Sequence, residues 1–217
     1  FIFSSPARVA ETFLSMAADG SIFRHIGITL LETLLSFFLV FAASILAAVL
    51  LWMSRSLSRI LEPYLVVLNS LPKSALAPLL IVRLGANMRT IIVAGMSVAI
   101  FGSILTVYTG FLEVDPEKTK LIYTLGGRKR DVLTKVILPG SVPIFLNTMK
   151  VNIGLCLVGV IIGEFIGSRE GLGYLIIYGS QVFQLDMVLM SIVILCILAM
   201  CLYQCLNLAE KLYLKKI

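Results

Sequence analysis

The chain has 217 residues, of which 59% are hydrophobic and 14% are charged, and its mean hydropathy is +1.02. An ordinary soluble domain has a smaller apolar share and a charged share of about 25%. The composition therefore excludes a soluble globular protein and predicts that most of the apolar surface faces lipid or other buried helices. The net charge of +6 is informative through its distribution, which sets membrane topology, and does not indicate nucleic-acid binding.

Five apolar segments are predicted to enter or cross the membrane, at about residues 26–53, 64–84, 90–112, 144–166 and 187–208. Their lengths suit the ~20 apolar residues that cross a bilayer as a helix. The sequence therefore predicts an all-α, polytopic membrane protein in which residues 1–217 form a single transmembrane domain.

The region before and at the start of the first segment contains a few polar residues. Apolar spacing at Val9, Phe13, Leu14 and Met16 predicts a short helix at the membrane surface. We expect His25 to be solvated or interfacial. Glu32 is expected at interface depth, where it reaches water or a polar partner.

The second segment is interrupted by Asn69, Pro72, Lys73 and Pro78. Prolines free backbone carbonyls, which a membrane tolerates only where neighbouring helices or a water-filled cavity satisfy them. This segment is therefore predicted to be broken and to face the protein interior. A lysine at this depth indicates a functional site, with snorkelling to the interface as the alternative.

The fourth segment has glycines at Gly159, Gly163 and Gly167, four residues apart. This spacing predicts a smooth face where another helix approaches closely. Glu164 lies between them. It is interpreted either as a carboxylate satisfied at the interface or by a packed neighbour, or as a residue that contacts a solute.

Four cysteines, Cys156, Cys196, Cys201 and Cys205, lie within apolar runs and are predicted to be small buried hydrophobic residues. Cys201 and Cys205 share a helix face but have no histidine or acidic neighbour. No metal site is predicted.

Residues 113–143 are the one long polar interval, and they are predicted to form a hairpin of two short helices. Asp115 suits the cap of the first helix and Pro116 its first position, and Gly126-Gly127 suits its end. The second helix is predicted from about Lys129 to Leu138. It is expected to end at Pro139-Gly140, which a helix cannot readily cross.

Basic residues predict the orientation of the hairpin. If the five segments alternate, one side holds eleven basic residues: Arg55, Arg59, Lys118, Lys120, Arg128, Lys129, Arg130, Lys135, Lys211, Lys215 and Lys216. The other side holds five: Arg8, Arg24, Arg83, Arg89 and Arg169. The positive-inside bias predicts a cytoplasmic hairpin. Residue 1 would then lie outside, and we expect a further span upstream of Phe1.

The hairpin resembles the coupling loop of ABC importer permeases, whose pattern is E-A-A, three residues, Gly, nine residues, then I-x-L-P. Aligned on Gly126, the chain supplies nine residues and then Val136-Ile137-Leu138-Pro139. The E-A-A positions hold Lys120, Leu121 and Ile122 instead. The wider sequence is similar to permeases of nitrate, sulfonate and taurine importers, through SSPARVAET, LNSLPKSALAPLLIVRLG, VDPE and GEFIGSREGLGYLI.

The resemblance implies a type I importer transmembrane domain in the bacterial cytoplasmic (inner) membrane, acting as a homodimer. Two cytoplasmic subunits would bind ATP and Mg, and an external solute-binding protein would deliver the solute. The chain itself would be no enzyme and hold no cofactor. The solute would be an anion such as nitrate, an aliphatic sulfonate or taurine, or else a vitamin precursor of the thiamine-pyrimidine or riboflavin type.

The resemblance also implies roles for particular residues. The residues expected to couple to the ATP-hydrolysing subunit are Lys120, Leu121, Ile122, Leu125, Gly126, Arg128, Val136, Leu138 and Pro139. The residues expected to line the translocation path are Asn69, Ser70, Lys73, Ser74 and Glu164.

Two apolar patches on the hairpin are expected to fill a groove on that subunit. The first comprises Leu121, Ile122 and Leu125, and the second Val132, Leu133 and Val136. The alternative is a hairpin lying on anionic lipid. Among other classes, a membrane-embedded enzyme lacks a histidine and carboxylate cluster, and an ATP-independent transporter would place more ionisable residues at membrane depth.

Overall fold

The computed structural model describes residues 5–214, and all regular elements within that range are helical. Predictions for Ser4, Lys215 and Lys216 lie outside the described residues. The helices are α1 (Pro6–Ala18), α2 (Ser21–Met53), α3 (Arg55–Ser70), α4 (Lys73–Leu84), α5 (Met88–Leu112), α6 (Pro116–Thr124), α7 (Lys129–Val132), a π-helical stretch Leu133–Ile137, α8 (Leu138–Gly140), α9 (Val142–Gly167), α10 (Leu172–Gln181) and α11 (Leu185–Leu214). The predicted all-α fold class is confirmed.

Four helices in the described range, α2, α5, α9 and α11, are long and apolar enough to cross a membrane. Helices α3 and α4 qualify only together, as a broken span or a re-entrant loop. Helix α3 begins at Arg55, upstream of the predicted start at Tyr64, because the Ser54 side chain accepts a hydrogen bond from the Leu57 N–H and caps it. The helices are separated at Leu71 and Pro72, where the backbone is extended.

The described residues form two compact units, and α2, α5 and α9 contribute to both. The first unit comprises the chain up to Phe38, Pro72–Val98 and the chain from Ile153 onward. Its core contains Ile22, Leu157, Leu172, Leu175, Met190 and Leu195. Helices α1 and α10 both pack on α11. Val9 and Met16 of α1 join this core, whereas Leu14 is exposed.

A short turn joins α1 to α2 in the first unit. The Oδ1 of Asp19 accepts a hydrogen bond from the Ser21 N–H at 2.8 Å. The hydrogen bonds from the Ser21 side chain and backbone hold the pKa of Asp19 below its ordinary value. This carboxylate therefore stays ionised at the start of α2, where the helix dipole favours negative charge.

Glycines on α9 allow close helix packing in the first unit. A Cβ atom added at Gly159 would lie 2.8 Å from the Cα of Gly95 and 3.0 Å from the carbonyl oxygen of Ala94, both on α5. At Gly163 it would lie 3.1 Å from Cγ2 of Ile91, and at Gly167 2.8 Å from Cδ1 of Ile81. The backbones of α9 and α5 therefore touch where any larger residue would separate them.

The second unit comprises Leu39–Leu71 and Ala99–Asn152. Its core combines residues of α2, α5 and the hairpin: Ala48, Leu51, Ile104, Val107, Tyr108, Phe111, Val132, Leu133 and Ile137. The buried amide of Asn152 donates a hydrogen bond to the Ser103 Oγ at 2.6 Å. Since Val132, Leu133 and Ile137 belong to this core, the second half of the polar hairpin is part of an apolar core.

The cysteines do not share one environment. Cys156 is buried, as predicted, but Cys196, Cys201 and Cys205 are exposed on α11. The prediction that all four are buried is therefore wrong for these three. Helix α11 presents an apolar outer surface on which a small sulfur-containing side chain can face lipid.

We predict opposite effects for alanine at two glycines of α9. Gly159→Ala should lower the melting temperature of the purified protein by several degrees, because its Cβ meets the α5 backbone. Gly154→Ala is the matched control, because nothing lies within 4 Å of a Cβ there. It should leave the melting temperature unchanged or raise it, since alanine favours the helix by about 1 kcal/mol over glycine. Equal effects of the two substitutions would contradict the packing described.

Candidate functional site

The hairpin begins with a firmly capped helix. The Asp115 Oδ1 accepts a hydrogen bond from the Glu117 N–H at 2.9 Å, and Pro116 occupies the first helical position. Lys120 pairs with Glu117 across 3.3 Å, and both side chains are exposed. An exposed pair of this kind adds little stability. The cap therefore does most to fix where α6 starts.

The elbow between the two halves of the hairpin depends on two adjacent glycines. Gly126 has φ +80°, a left-handed conformation, and its N–H donates to the Tyr123 carbonyl at 3.0 Å. The Gly127 N–H donates to the Ile122 carbonyl at 2.9 Å. A Cβ at Gly127 would lie 2.8 Å from that same oxygen. The left-handed backbone angle thus favours glycine at position 126. At position 127 glycine is favoured because a Cβ would have no space beside the Ile122 carbonyl.

The second half of the hairpin is anchored to the end of α2. The Lys129 Nζ donates to the Met53 carbonyl at 3.0 Å and lies 5.2 Å from the ring centroid of Trp52. The Asp131 Oδ2 accepts from the Arg128 N–H at 2.8 Å, which closes the start of α7. A carbonyl at a helix end, a cation and an aromatic ring thus meet at one point.

The second half of the hairpin stays helical through Pro139 and ends at Gly140, two residues beyond the predicted end at Leu138. Residues Leu133–Ile137 are wound as a π-helix, in which the Leu138 N–H reaches back to the Leu133 carbonyl. Helix α8 then continues through Pro139 to Gly140. A π turn is wider than an α turn, and such local expansions accompany prolines that cannot donate to the ladder.

The two predicted apolar patches have different environments. Leu121 and Tyr123 on α6 and Leu125 at its carboxyl cap are 58%, 46% and 75% exposed. The second patch is not available as predicted, because Val132 and Leu133 are buried in the core of the second unit. Leu121 and Leu125 lie four residues apart on one side of the helix, and we call these two exposed side chains the α6 face. Tyr123 lies on a different side, beside Lys120 and Trp52.

The other residues expected to couple are distributed as follows. Ile122 packs against the core of the second unit, and Val136 and Leu138 are half-buried. Arg128 and Pro139 are exposed. The sequence analysis did not predict Tyr123 as a hairpin contact. It lies three residues after Lys120 in α6, and that spacing could have identified it.

The residues expected to line a path lie on both sides of the break after α3. Asn69 and Ser70 end α3 and are exposed. A Cβ at Gly102 would lie 3.2 Å from the Asn69 Oδ1, so this amide lies against α5. Lys73 begins α4 and is half-buried, and Ser74 beside it is exposed. Their role in a path remains a prediction.

Glu164 is fully buried and caps the amino terminus of α10. Its Oε2 accepts from the Gly173 N–H at 2.6 Å, and its Oε1 accepts from the Thr29 hydroxyl at 2.7 Å. Thr29 in turn accepts from the Leu172 N–H at 2.8 Å. A buried carboxylate at a helix amino terminus is favoured by the free N–H groups and by the helix dipole. Its role in a path is likewise untested.

The Gly-Leu-Gly sequence at the start of α10 makes room for this carboxylate. Gly171 has φ +106°, and a Cβ at either Gly171 or Gly173 would collide with Glu164. The Gly171 N–H donates to the His25 Nδ1 at 2.9 Å. Three successive N–H groups, of Gly171, Leu172 and Gly173, therefore bond to side chains of other helices. The glycine motif cradles a carboxylate of the same chain.

Two residues near the start of α2 are more buried than expected. Glu32 is 1% exposed, and the polar partner of its carboxyl group is the carboxyl group of Glu164. His25 is half-buried and stacks on Tyr174 with ring centroids 6.1 Å apart, so it is not fully solvated, and its interfacial position remains a prediction. Sequence reasoning missed Thr29 altogether, because a threonine in an apolar helix gives no signal by itself.

Comparison with known families covers nearly the whole chain. The family described as "Binding-protein-dependent transport system inner membrane component" matches residues 12–213. A probable ABC transporter permease protein of Haemophilus influenzae is 32% identical over 203 residues, which is 94% of this chain and 82% of that protein.

More distant relatives have names that specify a solute. A formylaminopyrimidine transport permease protein of Halalkalibacterium halodurans is 25% identical, over 80% of this chain and 69% of that protein. A putative aliphatic sulfonates transport permease protein of Bacillus subtilis is 26% identical, over 89% and 70%. In fold, the chain is similar to the MetNI methionine ABC transporter in an inward-facing conformation, with a TM-score of 0.77, 20% identity, and coverage of 90% of this chain and 97% of that one.

The elbow gives a test that needs no partner. Gly127→Ala should speed hydrogen exchange at the residue 127 amide by about tenfold or more, because its Cβ meets the Ile122 carbonyl. Gly126→Asn should change exchange little, since asparagine tolerates the left-handed conformation and no atom lies within 4 Å of a Cβ there. Hydrogen exchange read by mass spectrometry measures both. Unchanged protection in Gly127→Ala would show that the elbow is not closed as described.

Proposed function

The chain belongs to the family of binding-protein-dependent transport system inner membrane components and is an ABC importer permease, and from this premise we propose that it forms the translocation path for a small anionic solute. Candidates are nitrate, an aliphatic sulfonate and taurine. The relative named for aliphatic sulfonates supports this class. The half-buried Lys73 at the break before α4 suits a negative charge.

The proposed assembly is a pair of these permeases with two cytoplasmic ATP-hydrolysing subunits and an external solute-binding protein. ATP and Mg would bind to the hydrolysing subunits. The observation that carries this proposal is the α6 face, where the large apolar side chains of Leu121 and Leu125 stand exposed four residues apart. An exposed apolar set on a short helix, rimmed by charges, fits a groove on a partner protein.

The structure also supports a route by which the hairpin could transmit force. The α6 face is joined through the elbow to Val132, Leu133 and Ile137, which are buried among residues of α2 and α5. Lys129 ties the same segment to Met53 at the end of α2. We propose that closure of the ATP-hydrolysing subunits moves the hairpin and that these helices follow as a rigid body, which alternates access to the path.

A second candidate solute is a vitamin precursor of the thiamine-pyrimidine type, because one relative is named as a formylaminopyrimidine permease. A binding screen with the solute-binding protein of the same importer separates the two. A nanomolar-range complex with a sulfonate or nitrate supports the anion, and one with a pyrimidine supports the precursor.

The α6 face predicts a defined loss of assembly. Leu125→Asp places a charge at the side chain that is 75% exposed on this face. It should weaken association with the ATP-hydrolysing subunit by at least about tenfold and abolish uptake into proteoliposomes, because an unpaired charge would be buried at the interface. Leu125→Met is the matched control and should keep both. Membrane insertion of both variants should equal that of the wild type. Full assembly of Leu125→Asp would refute docking through this face.

The proposed orientation predicts thiol labelling from one side only. In a background with Cys196, Cys201 and Cys205 replaced by serine, Lys118→Cys on α6 should react with an impermeant maleimide only in inside-out vesicles. Gln181→Cys at the end of α10 should react only in right-side-out vesicles. Both native residues are exposed. Reaction of Lys118→Cys in right-side-out vesicles would overturn the cytoplasmic placement of the hairpin.

A further inference from the structure

The first unit contains a cavity that the proposed coupling mechanism does not use. Its volume is about 470 Å³, and its lining includes Ile28, Glu32, Asn87, Ile91, Ser168 and Arg169. These residues come from α2, from the beginning of α5 and from the segment after α9. The volume falls in the range of small-molecule sites, which are mostly apolar with a few convergent polar groups.

Glu32 is the deepest polar group of this cavity. The residue is 1% exposed, and its Oε2 has no hydrogen-bond partner among the described residues. A buried carboxyl oxygen without a hydrogen-bond partner is costly, even where the rest of the group interacts with Glu164. Its neighbour Glu164 cannot serve in its place, because both oxygens of Glu164 already accept hydrogen bonds. Glu32 therefore offers the open acceptor.

Arg169 supplies the opposite charge. It is exposed and lines the same cavity. The other acidic group of the lining, Glu170, forms an ion pair with Arg24. Within the described residues, no ion pair of Arg169 is found. The cavity thus has a buried acceptor and an exposed guanidinium, and its lining also includes the apolar side chains of Ile28 and Ile91.

We propose that this cavity binds a small zwitterionic solute, whose ammonium group donates to the Oε2 of Glu32 and whose acid group faces Arg169. The inference rests on the proposed function, since it takes the cavity as a solute site of the importer. An anion without an ammonium group would leave the Oε2 of Glu32 without a hydrogen-bond partner. An amine without an acid group would leave the Arg169 guanidinium without an opposite charge. Among the proposed candidates, the site therefore selects taurine, which is a zwitterionic aminosulfonate, over nitrate and over a sulfonate without an amine.

The test measures binding to the full chain in lipid nanodiscs by calorimetry, with three probes of similar size: 2-aminoethanesulfonate, ethanesulfonate and ethylamine. The first should bind at least about tenfold more tightly than the other two. Glu32→Gln and Arg169→Gln should each weaken it by about tenfold or more. The control variants Glu62→Gln and Arg83→Gln, at exposed residues outside the cavity, should bind as the wild type does.

Glu32→Gln keeps the size and a donor group toward Glu164, and unchanged hydrogen exchange at the Gly173 amide verifies that the α10 cap survives. Arg169→Gln is an exposed change and tests the same site without disturbing the interior. Equal affinity for all three probes, no detectable binding of 2-aminoethanesulfonate, or wild-type binding in Glu32→Gln would each overturn the zwitterion site. ATP-driven uptake with the partner proteins tests the importer separately, so uptake that persists after such a result leaves the proposed function standing.

Discussion

An apolar chain that enters a bilayer must satisfy its polar groups from within, since the hydrocarbon region offers no water. This constraint acts most strongly at the start of α10, where a helix begins among buried side chains. Three N–H groups there find acceptors on His25, Thr29 and Glu164. The arrangement holds the start of α10 to α2 and α9, and the core around Leu172 and Leu175 is assembled next to it.

The hairpin solves the same problem in a different way. Its polar groups are paired locally, through the Asp115 cap, the two elbow glycines and the Asp131 contact. Only its second half is buried, and Lys129 fixes that half to the end of α2. The first half is thereby left with apolar side chains exposed on a rigid support. A surface that is both exposed and fixed costs little entropy when a partner binds.

The parts of the fold that follow from local chemistry could be predicted from the sequence. Asp115, Pro116 and Gly126 each act within a few residues, so the first hairpin helix and its end could be located in advance. The continuation through Pro139 could not, because it depends on a π-helical stretch held by burial of Leu133 and Ile137. Burial of Val132 was missed for the same reason, since an amphipathic helix does not indicate which surface its apolar side meets.

The candidate sites in the first unit were hidden for a related reason. Glu32, Glu164 and Thr29 are brought together only by the packing of α2, α9 and α10, and no spacing rule relates residues so far apart. The paired residues Thr29 and Glu164 are separated by 135 positions. The Gly-Leu-Gly motif at the start of α10 cradles an anion that belongs to the chain itself, the carboxylate of Glu164.

That separation has a consequence for biosynthesis. Chains are made and inserted from the amino terminus, so Thr29 enters the membrane long before Glu164 and Leu172 are synthesised. Until α9 and α10 arrive, the Thr29 hydroxyl has neither of the two partners that it has in the finished protein. The hydrogen bonds of Thr29 in the first unit therefore form late, although Thr29 itself was inserted early. By the time they form, the hairpin has already been synthesised, because it precedes α9 and α10 in the chain.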